Sequence, residues 1–229
     1  MNPNDPNVLL VEFVVRKLGD IRERVVFVGG SATGLLITDA ARPPVRATKD
    51  VDVIAEIASL VSYYELQGEL KRLGFREDPD VTCRWRIGDL KVDVMPTQEV
   101  GLGFTNRWYP RAAQQATQYR LPTGAEIRLV SPPLFIATKL EAFHGRGNGD
   151  YGASHDMEDI VTVVDGRPEL AIEIAASDPD LREYIIDEID ALLADEQFVD
   201  QLNWHFAGDA ANQARVPQVI QRFRNIAGI

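Results

Sequence analysis

The sequence is short of cysteine, of long apolar runs and of positive charge. Cys83 is the only cysteine among the 229 residues, which excludes an internal disulfide and a zinc site made of cysteines. No apolar run approaches the ~20 residues that a membrane-spanning helix needs. The N-terminal stretch has no basic region ahead of its apolar residues, as a secretory signal would. We therefore expect a cytoplasmic protein without a membrane partner.

Positive charge is scarce: the sequence has 24 Lys and Arg residues and 35 Asp and Glu residues, for a formal net charge of −11. This balance does not predict the broad basic surface that nucleic-acid binding favours. Acidic residues concentrate in residues 178–197, where apolar residues at helical spacing indicate a solvated helix face. Residues 107–120 are basic and contain aromatics, so a local nucleic-acid groove stays open as an alternative there.

The periodicity of apolar residues changes along the chain. Helical and strand patterns alternate up to about residue 130, and the patterns after the "SPP" at residues 131–133 are mostly helical. This shift predicts an α/β (α+β) head over residues 1–130, with a mixed sheet flanked by helices. A helical C-terminal region is predicted over residues 131–229.

The stretch "VVFVGGSATGLL", residues 25–36, places glycines where a strand leads into a helix. Gly29 and Gly30 lack the side chains that would block a ligand from approaching the backbone, and an emerging helix offers free N–H groups to an anion. The hydroxyl of Ser31 is predicted to cap this helix. A phosphate-binding turn and a merely tight turn are both compatible with the pattern.

Carboxylates recur on two predicted strands. Asp50 and Asp52 in "DVDVIAEI" point to the same face, because side chains on a strand alternate. Asp93 in "LKVDVMP" repeats the arrangement. If the two strands are neighbours, three carboxylates converge in a site suited to Mg²⁺ or Mn²⁺. Each feature alone is also compatible with a purely structural role, and Lys49, just before the pair, fits phosphate contact or loop solubility equally well.

The glycine turn and the strand carboxylates are more informative together than either is alone. Phosphoryl transfer from an NTP requires a site for the phosphates and a site for the metal that bridges them. The glycine turn would provide the first, and the carboxylates would provide the second. We therefore predict that NTP is a co-substrate.

In these motifs the chain resembles the nucleotidyltransferase fold, the polymerase-β-like superfamily, over about residues 20 to 100. The resemblance implies a nucleotide-phosphate turn, a metal-binding pair and a third carboxylate that helps to activate the attacking hydroxyl. In this sequence these are, in order, Gly29, Gly30 and Ser31; Asp50 and Asp52; and Asp93.

The second half resembles the AbiEii/AbiGii-type toxin nucleotidyltransferases, which carry a helix lysine followed by a D-x-x-D helix. The matching residues are Lys139 in "SPPLFIATKLEAF", and Asp156 and Asp159 in "SHDMEDI". The resemblance implies that Lys139 contacts nucleotide phosphate and that Asp156 belongs to the active site. We expect this segment to bring both to the pocket of the strand carboxylates, and the roles of Asp159 and His155 stay open.

The function that follows is transfer of a nucleoside monophosphate from an NTP to an acceptor hydroxyl with Mg²⁺. The resemblance implies a toxin of a toxin–antitoxin or abortive-infection system that acts on tRNA, and it leaves open whether a cognate antitoxin exists. One alternative is a small-molecule adenylyltransferase of the antibiotic-modifying type, whose cationic substrates the acidic balance would attract. Another is a catalytically inactive binding module, although intact carboxylates would be an electrostatic cost there. The nucleotide, the acceptor and the oligomeric state are not specified by the sequence.

Overall fold

A computed structural model describes residues 5–57, 59–99, 105–147 and 149–229. The chain divides into two compact units. The described residues up to Gly34, together with Arg46–Ser131, form the N-terminal unit, and Leu35–Val45 together with Pro132–Ile229 form the C-terminal unit. Within the described ranges, no helix has both the length and the apolar character needed to cross a membrane.

The N-terminal unit is built around a mixed sheet, as the α/β prediction requires. In the described part of the chain the sheet has seven strands in the order β3-β4-β5-β2-β1-β7-β6. The strands are β1 Val25–Val28, β2 Asp50–Ala55, β3 Arg76–Glu77, β4 Arg84–Ile87, β5 Leu90–Pro96, β6 Thr117–Arg120 and β7 Glu126–Leu129. The helices of this unit are α1 Pro6–Leu18, α2 Gly29–Thr33, α3 Leu60–Arg72 and α4 Tyr109–Gln114.

The pairing of the central strands positions the acidic residues. β2 runs antiparallel to β1 and parallel to β5, so that Asp52 lies directly opposite Asp93. The expectation that the two carboxylate-bearing strands are neighbours is therefore confirmed. β4 and β5 form a hairpin through the Gly88–Asp89 turn, and its register places Arg84 opposite the same Asp93.

Alternation along β2 and β5 separates a buried face from a polar face. Val51, Val53 and Val92 are completely buried, whereas the aspartates between them are only partly buried. Burial of one such side chain contributes about 1.5–3 kcal/mol. The apolar face therefore fixes which way the strands lie, and the carboxylates point to the opposite face as a consequence.

The C-terminal unit is helical, as predicted. Its helices are α5 Pro132–Arg146, α6 His155–Gly166, α7 Leu170–Ala175, α8 Pro179–Ala194, α9 Glu196–Gln201, α10 Ala210–Gln213 and α11 Val216–Ala227. Ion pairs join the segment Leu35–Val45 to the helical part of this unit: Arg42 of the segment pairs with buried Asp165 on α6, and Asp39 of the segment pairs with Arg215, which precedes α11.

Candidate active site

Gly29 lies at the junction of β1 and α2, next to Asp52 of the acidic pair. Its φ is +67°, a left-handed conformation that glycine adopts without steric cost. A Cβ at this position would lie 1.9 Å from Oδ2 of Asp52. The glycine therefore makes room for a carboxylate of this chain, a role that the sequence analysis did not foresee.

The helix after the glycines begins earlier than predicted. α2 starts at Gly29, and its N-cap residue, Val28, offers no side-chain hydrogen bond. The prediction that Ser31 caps this helix is therefore wrong, because the left-handed Gly29 already turns the chain and leaves Ser31 inside the helix. Ser31 is 1% exposed, and its Oγ has no hydrogen-bond partner within the described residues.

The three strand carboxylates lie on one face of two adjacent strands. Asp50 and Asp52 are two residues apart on β2, and Asp93 is the cross-strand partner of Asp52 on β5. Side chains directly opposite each other on paired strands lie within contact range. The side chains of Asp50 and Asp93 are 38% and 13% exposed, so the cluster reaches the surface at Asp50.

An arginine that the sequence analysis missed occupies this cluster. Nε of Arg84 donates to Oδ1 of Asp93 at 2.8 Å, and Nη2 donates to Oδ2 at 2.8 Å. Nη2 also lies 3.6 Å from Oδ2 of Asp50. These bonds to Asp93 raise the pKa of Arg84 further above its usual value. The sequence does contain the signal for this contact, because a two-residue turn at Gly88–Asp89 fixes the hairpin register.

The donor set fits a divalent cation in part. Asp50 and Asp52 supply the hard oxygen ligands that Mg²⁺ prefers, from one face of one strand. Both oxygens of Asp93 are engaged by Arg84. Across the ranges that the structure covers, no three Asp, Glu, His or Cys side chains are arranged to hold a metal ion. The assignment of all three carboxylates as metal ligands stays a prediction.

The loop that enters β2 is fastened to α1. Asn7 is 1% exposed, and its Nδ2 donates to the carbonyl of Arg46 at 2.8 Å. Its Oδ1 accepts the backbone N–H of Thr48 at 2.8 Å. Lys49, the predicted phosphate contact, is exposed next to this anchored segment. The start of the D-x-D strand is therefore held by a side chain 41 residues away in the sequence.

In the C-terminal unit, the predicted Lys139 and Asp156 contact each other. Nζ of Lys139 lies 3.0 Å from Oδ1 of Asp156 and 2.6 Å from Oδ2 of Asp159. Arg146 donates two hydrogen bonds of 2.8 Å to the same Asp156. Lys139 and both aspartates are buried, whereas 71% of the Arg146 side chain is exposed. Arg146, which the sequence analysis did not single out, is therefore the most exposed side chain of this group.

The charges in this array alter the acidity of Asp156. Burial by itself would raise the pKa of this carboxyl, but the hydrogen bonds from Arg146 and the charge of Lys139 outweigh burial and lower the pKa to about 2. Asp156 is therefore ionised at neutral pH. His155 contacts Glu158 through Nδ1 at 3.2 Å. Whether Lys139 and Asp156 act together with the strand carboxylates stays a prediction.

The solved structures that are similar to this chain include two structures of one other protein, ANT(2'')-Ia. A solution structure of the antibiotic-resistance factor ANT(2'')-Ia aligns with 81% of this chain and 94% of that chain, at 17% identity and a TM-score of 0.45. A crystal structure of ANT(2'')-Ia in complex with adenylyl-2''-tobramycin aligns with 74% of this chain and 95% of that chain, at 17% identity and a TM-score of 0.41. No protein-family model and no curated protein matches the sequence. The functional interpretation therefore depends on the residues themselves.

Proposed function

We propose that this protein is an enzyme that transfers a nucleoside monophosphate from an NTP to an acceptor hydroxyl and releases pyrophosphate. The observation that carries the proposal is the acidic face of β2 and β5. Asp52 is in register with Asp93, and Gly29 packs against Asp52. A glycine turn next to paired carboxylates is the arrangement that binding of a metal-chelated triphosphate requires.

Each residue of the proposed site has its own role in this transfer. Asp50 and Asp52 would hold Mg²⁺ or Mn²⁺, and such an ion, when bound, neutralises charge on the triphosphate. Asp93 acts near the acceptor, either as the base that accepts the proton of its hydroxyl or as a third ligand of the metal. The hydroxyl oxygen bonds to the α-phosphorus, and the bond from that phosphorus to the bridging oxygen of pyrophosphate breaks. By resemblance, the turn Gly29–Gly30–Ser31 receives the nucleotide phosphates.

Three further residues are assigned to nucleotide binding on the resemblance and on charge. Lys139 and Lys49 are proposed phosphate contacts, and Asp156 is the proposed active-site carboxylate that holds Lys139. The contact between Lys139 and Asp156 at 3.0 Å supports this pairing. The direct test is kinetic, because a structural ion pair would leave KM for the NTP unchanged when Lys139 is replaced by alanine.

We favour a cationic small molecule over tRNA as the acceptor. The net charge of −11 attracts cations and repels a polyanion at long range. An antibiotic-type adenylyltransferase therefore fits the charge better than a toxin that acts on tRNA. The tRNA acceptor, and with it a cognate antitoxin, remains the second candidate because of the AbiEii-type motifs.

The experiment incubates the protein with each labelled NTP, Mg²⁺ and one of two acceptors, tobramycin as a polycation or total tRNA. We expect label on the polycation and pyrophosphate in equal amount, and no transfer when EDTA removes the metal. Label on tRNA alone would replace the small-molecule acceptor by the second candidate. No label on either acceptor and no pyrophosphate would support the inactive binding module.

A further inference from the structure

Arg84 places one positive charge among the carboxylates that are proposed to bind metal. Its guanidinium makes a two-point contact with Asp93, with both N–O distances at 2.8 Å, and lies 3.6 Å from Asp50. A single side chain thus contacts two of the three proposed metal ligands. Planar two-point pairing of arginine with carboxylate is the strongest geometry available to an ion pair in proteins.

This contact competes with metal coordination by Asp93. A metal ligand must turn an oxygen lone pair toward the ion, and Arg84 already occupies one lone pair on each oxygen of Asp93. A guanidinium also repels a divalent cation held by the neighbouring Asp50 and Asp52. Arg84 therefore opposes coordination of a metal ion by Asp93.

The side chain of Arg84 reaches the surface. Its side chain is 21% exposed, on the strand β4 whose partner β5 carries Asp93. Rotation of its long side chain toward solvent releases Asp93 without a change in strand register, because the backbone pairing of Arg84 with Asp93 does not involve the guanidinium. The cluster can therefore exchange an internal cation for a bound one.

We propose that Arg84 is an internal counter-cation that competes with the divalent metal for Asp93, so that the nucleotide-free protein binds metal weakly. Arg84 is on this account a positioning residue, which holds Asp93 until metal displaces it. The inference rests on the proposed function, since it takes the strand carboxylates to be the metal ligands. Loss of Arg84 should therefore strengthen metal binding, whereas loss of a residue that only supports the structure of the site would weaken it.

The test measures Mn²⁺ binding without nucleotide, by the electron paramagnetic resonance signal of free Mn²⁺, in wild type, Arg84→Gln and Arg86→Gln. Arg86 is the matched control, because it lies on the same strand but pairs with Asp78. Arg84→Gln should bind Mn²⁺ roughly tenfold more tightly, as screened repulsion between a unit charge and a divalent ion at about 6 Å in water predicts. Arg86→Gln should bind like wild type.

Unchanged or weaker Mn²⁺ binding in a folded Arg84→Gln variant overturns the inference. Pyrophosphate release by wild type would in that case leave the proposed function standing. Absence of Mn²⁺ binding in both wild type and Arg84→Gln overturns the inference and the metal-dependent function together. If Arg84→Gln does not fold, Arg84→Lys replaces it: the lysine keeps the charge but loses the two-point contact, so a smaller gain in affinity is expected, and no gain overturns the inference.

Discussion

At the scale of single residues, Gly29 meets two requirements that no other residue type meets together. Its backbone is left-handed, with φ at +67°, and the space that a Cβ would fill is occupied by the carboxylate of Asp52. Gly124 also has a positive φ, of +85°, but a Cβ there would meet nothing within 4 Å. A comparison of alanine substitutions at the two positions therefore separates the cost of a left-handed backbone from the cost of displacing the carboxylate.

Gly29→Ala should lower the free energy of unfolding by more than Gly124→Ala does. Each substitution carries the cost of a left-handed alanine, about 1–2 kcal/mol, and only Gly29→Ala must also displace Asp52. Urea denaturation of both variants measures the difference. Equal losses would mean that the contact between Gly29 and Asp52 does not constrain the site.

Asp156 links pH to the stability of the C-terminal unit. Its pKa lies at about 2 in the folded protein against an ordinary value of 3.8. A carboxyl with a depressed folded pKa stabilises the protein above its unfolded pKa, and that contribution is lost as pH falls from about 4 to 2. The contribution at neutral pH is about 2 kcal/mol, from the size of the shift.

Asp156→Asn should therefore destabilise the protein at pH 6 and have a smaller effect at pH 3. Urea denaturation at the two pH values gives the comparison. Asp190→Asn is the matched control, because Asp190 is exposed on α8, and it should change stability little at either pH. A loss in Asp156→Asn that is the same at both pH values would contradict the role of the ionised carboxylate.

At the scale of elements, Asn7 connects α1 to the segment that enters β2. Its side chain bonds to the backbone of Arg46 and Thr48 and is buried. Loss of these bonds would leave a backbone N–H and a carbonyl without their partner. A buried group left unsatisfied in this way costs about 1–3 kcal/mol.

Asn7→Ala should accelerate amide hydrogen exchange at Thr48 and lower the free energy of unfolding by about 1–3 kcal/mol. Asn225→Ala makes the same chemical change on an exposed face of α11 and should leave exchange at Thr48 as in wild type. Unchanged exchange at Thr48 in Asn7→Ala would show that the segment is held by other contacts.

Helices and strands could be predicted from the sequence where the spacing of apolar residues determines them. The buried strand Val25–Val28 and the alternation of β2 and β5 are legible in the sequence because burial selects apolar residues at fixed spacing. The start of α2 was missed because a backbone dihedral at Gly29, rather than a capping hydroxyl, ends the strand. Arg84 was missed although the Gly88–Asp89 turn indicates the register that places it opposite Asp93, and Arg146 was missed because its pairing with Asp156 depends on tertiary packing, which composition does not reveal.

At the scale of the whole molecule, the charge distribution bears on the acceptor rather than on the fold. The formal charge of −11 acts at long range on a charged substrate and is screened over about 8–10 Å at physiological salt. The site, by contrast, depends on short contacts: the register of Asp52 with Asp93 and the pairing of Asp93 with Arg84. The proposed nucleotidyl transfer rests on these short contacts, and the net charge bears only on the choice of acceptor.

The most direct test of this account is Mg²⁺-dependent pyrophosphate release from NTP in wild type, Asp52→Asn and Asp89→Asn. Asp89 is an exposed aspartate in the β4–β5 turn, which controls for loss of one negative charge. We predict that Asp52→Asn lowers turnover by about 10²–10³-fold, the usual cost of losing a catalytic electrostatic group, and that Asp89→Asn keeps wild-type turnover. Wild-type turnover in a folded Asp52→Asn variant would contradict the account.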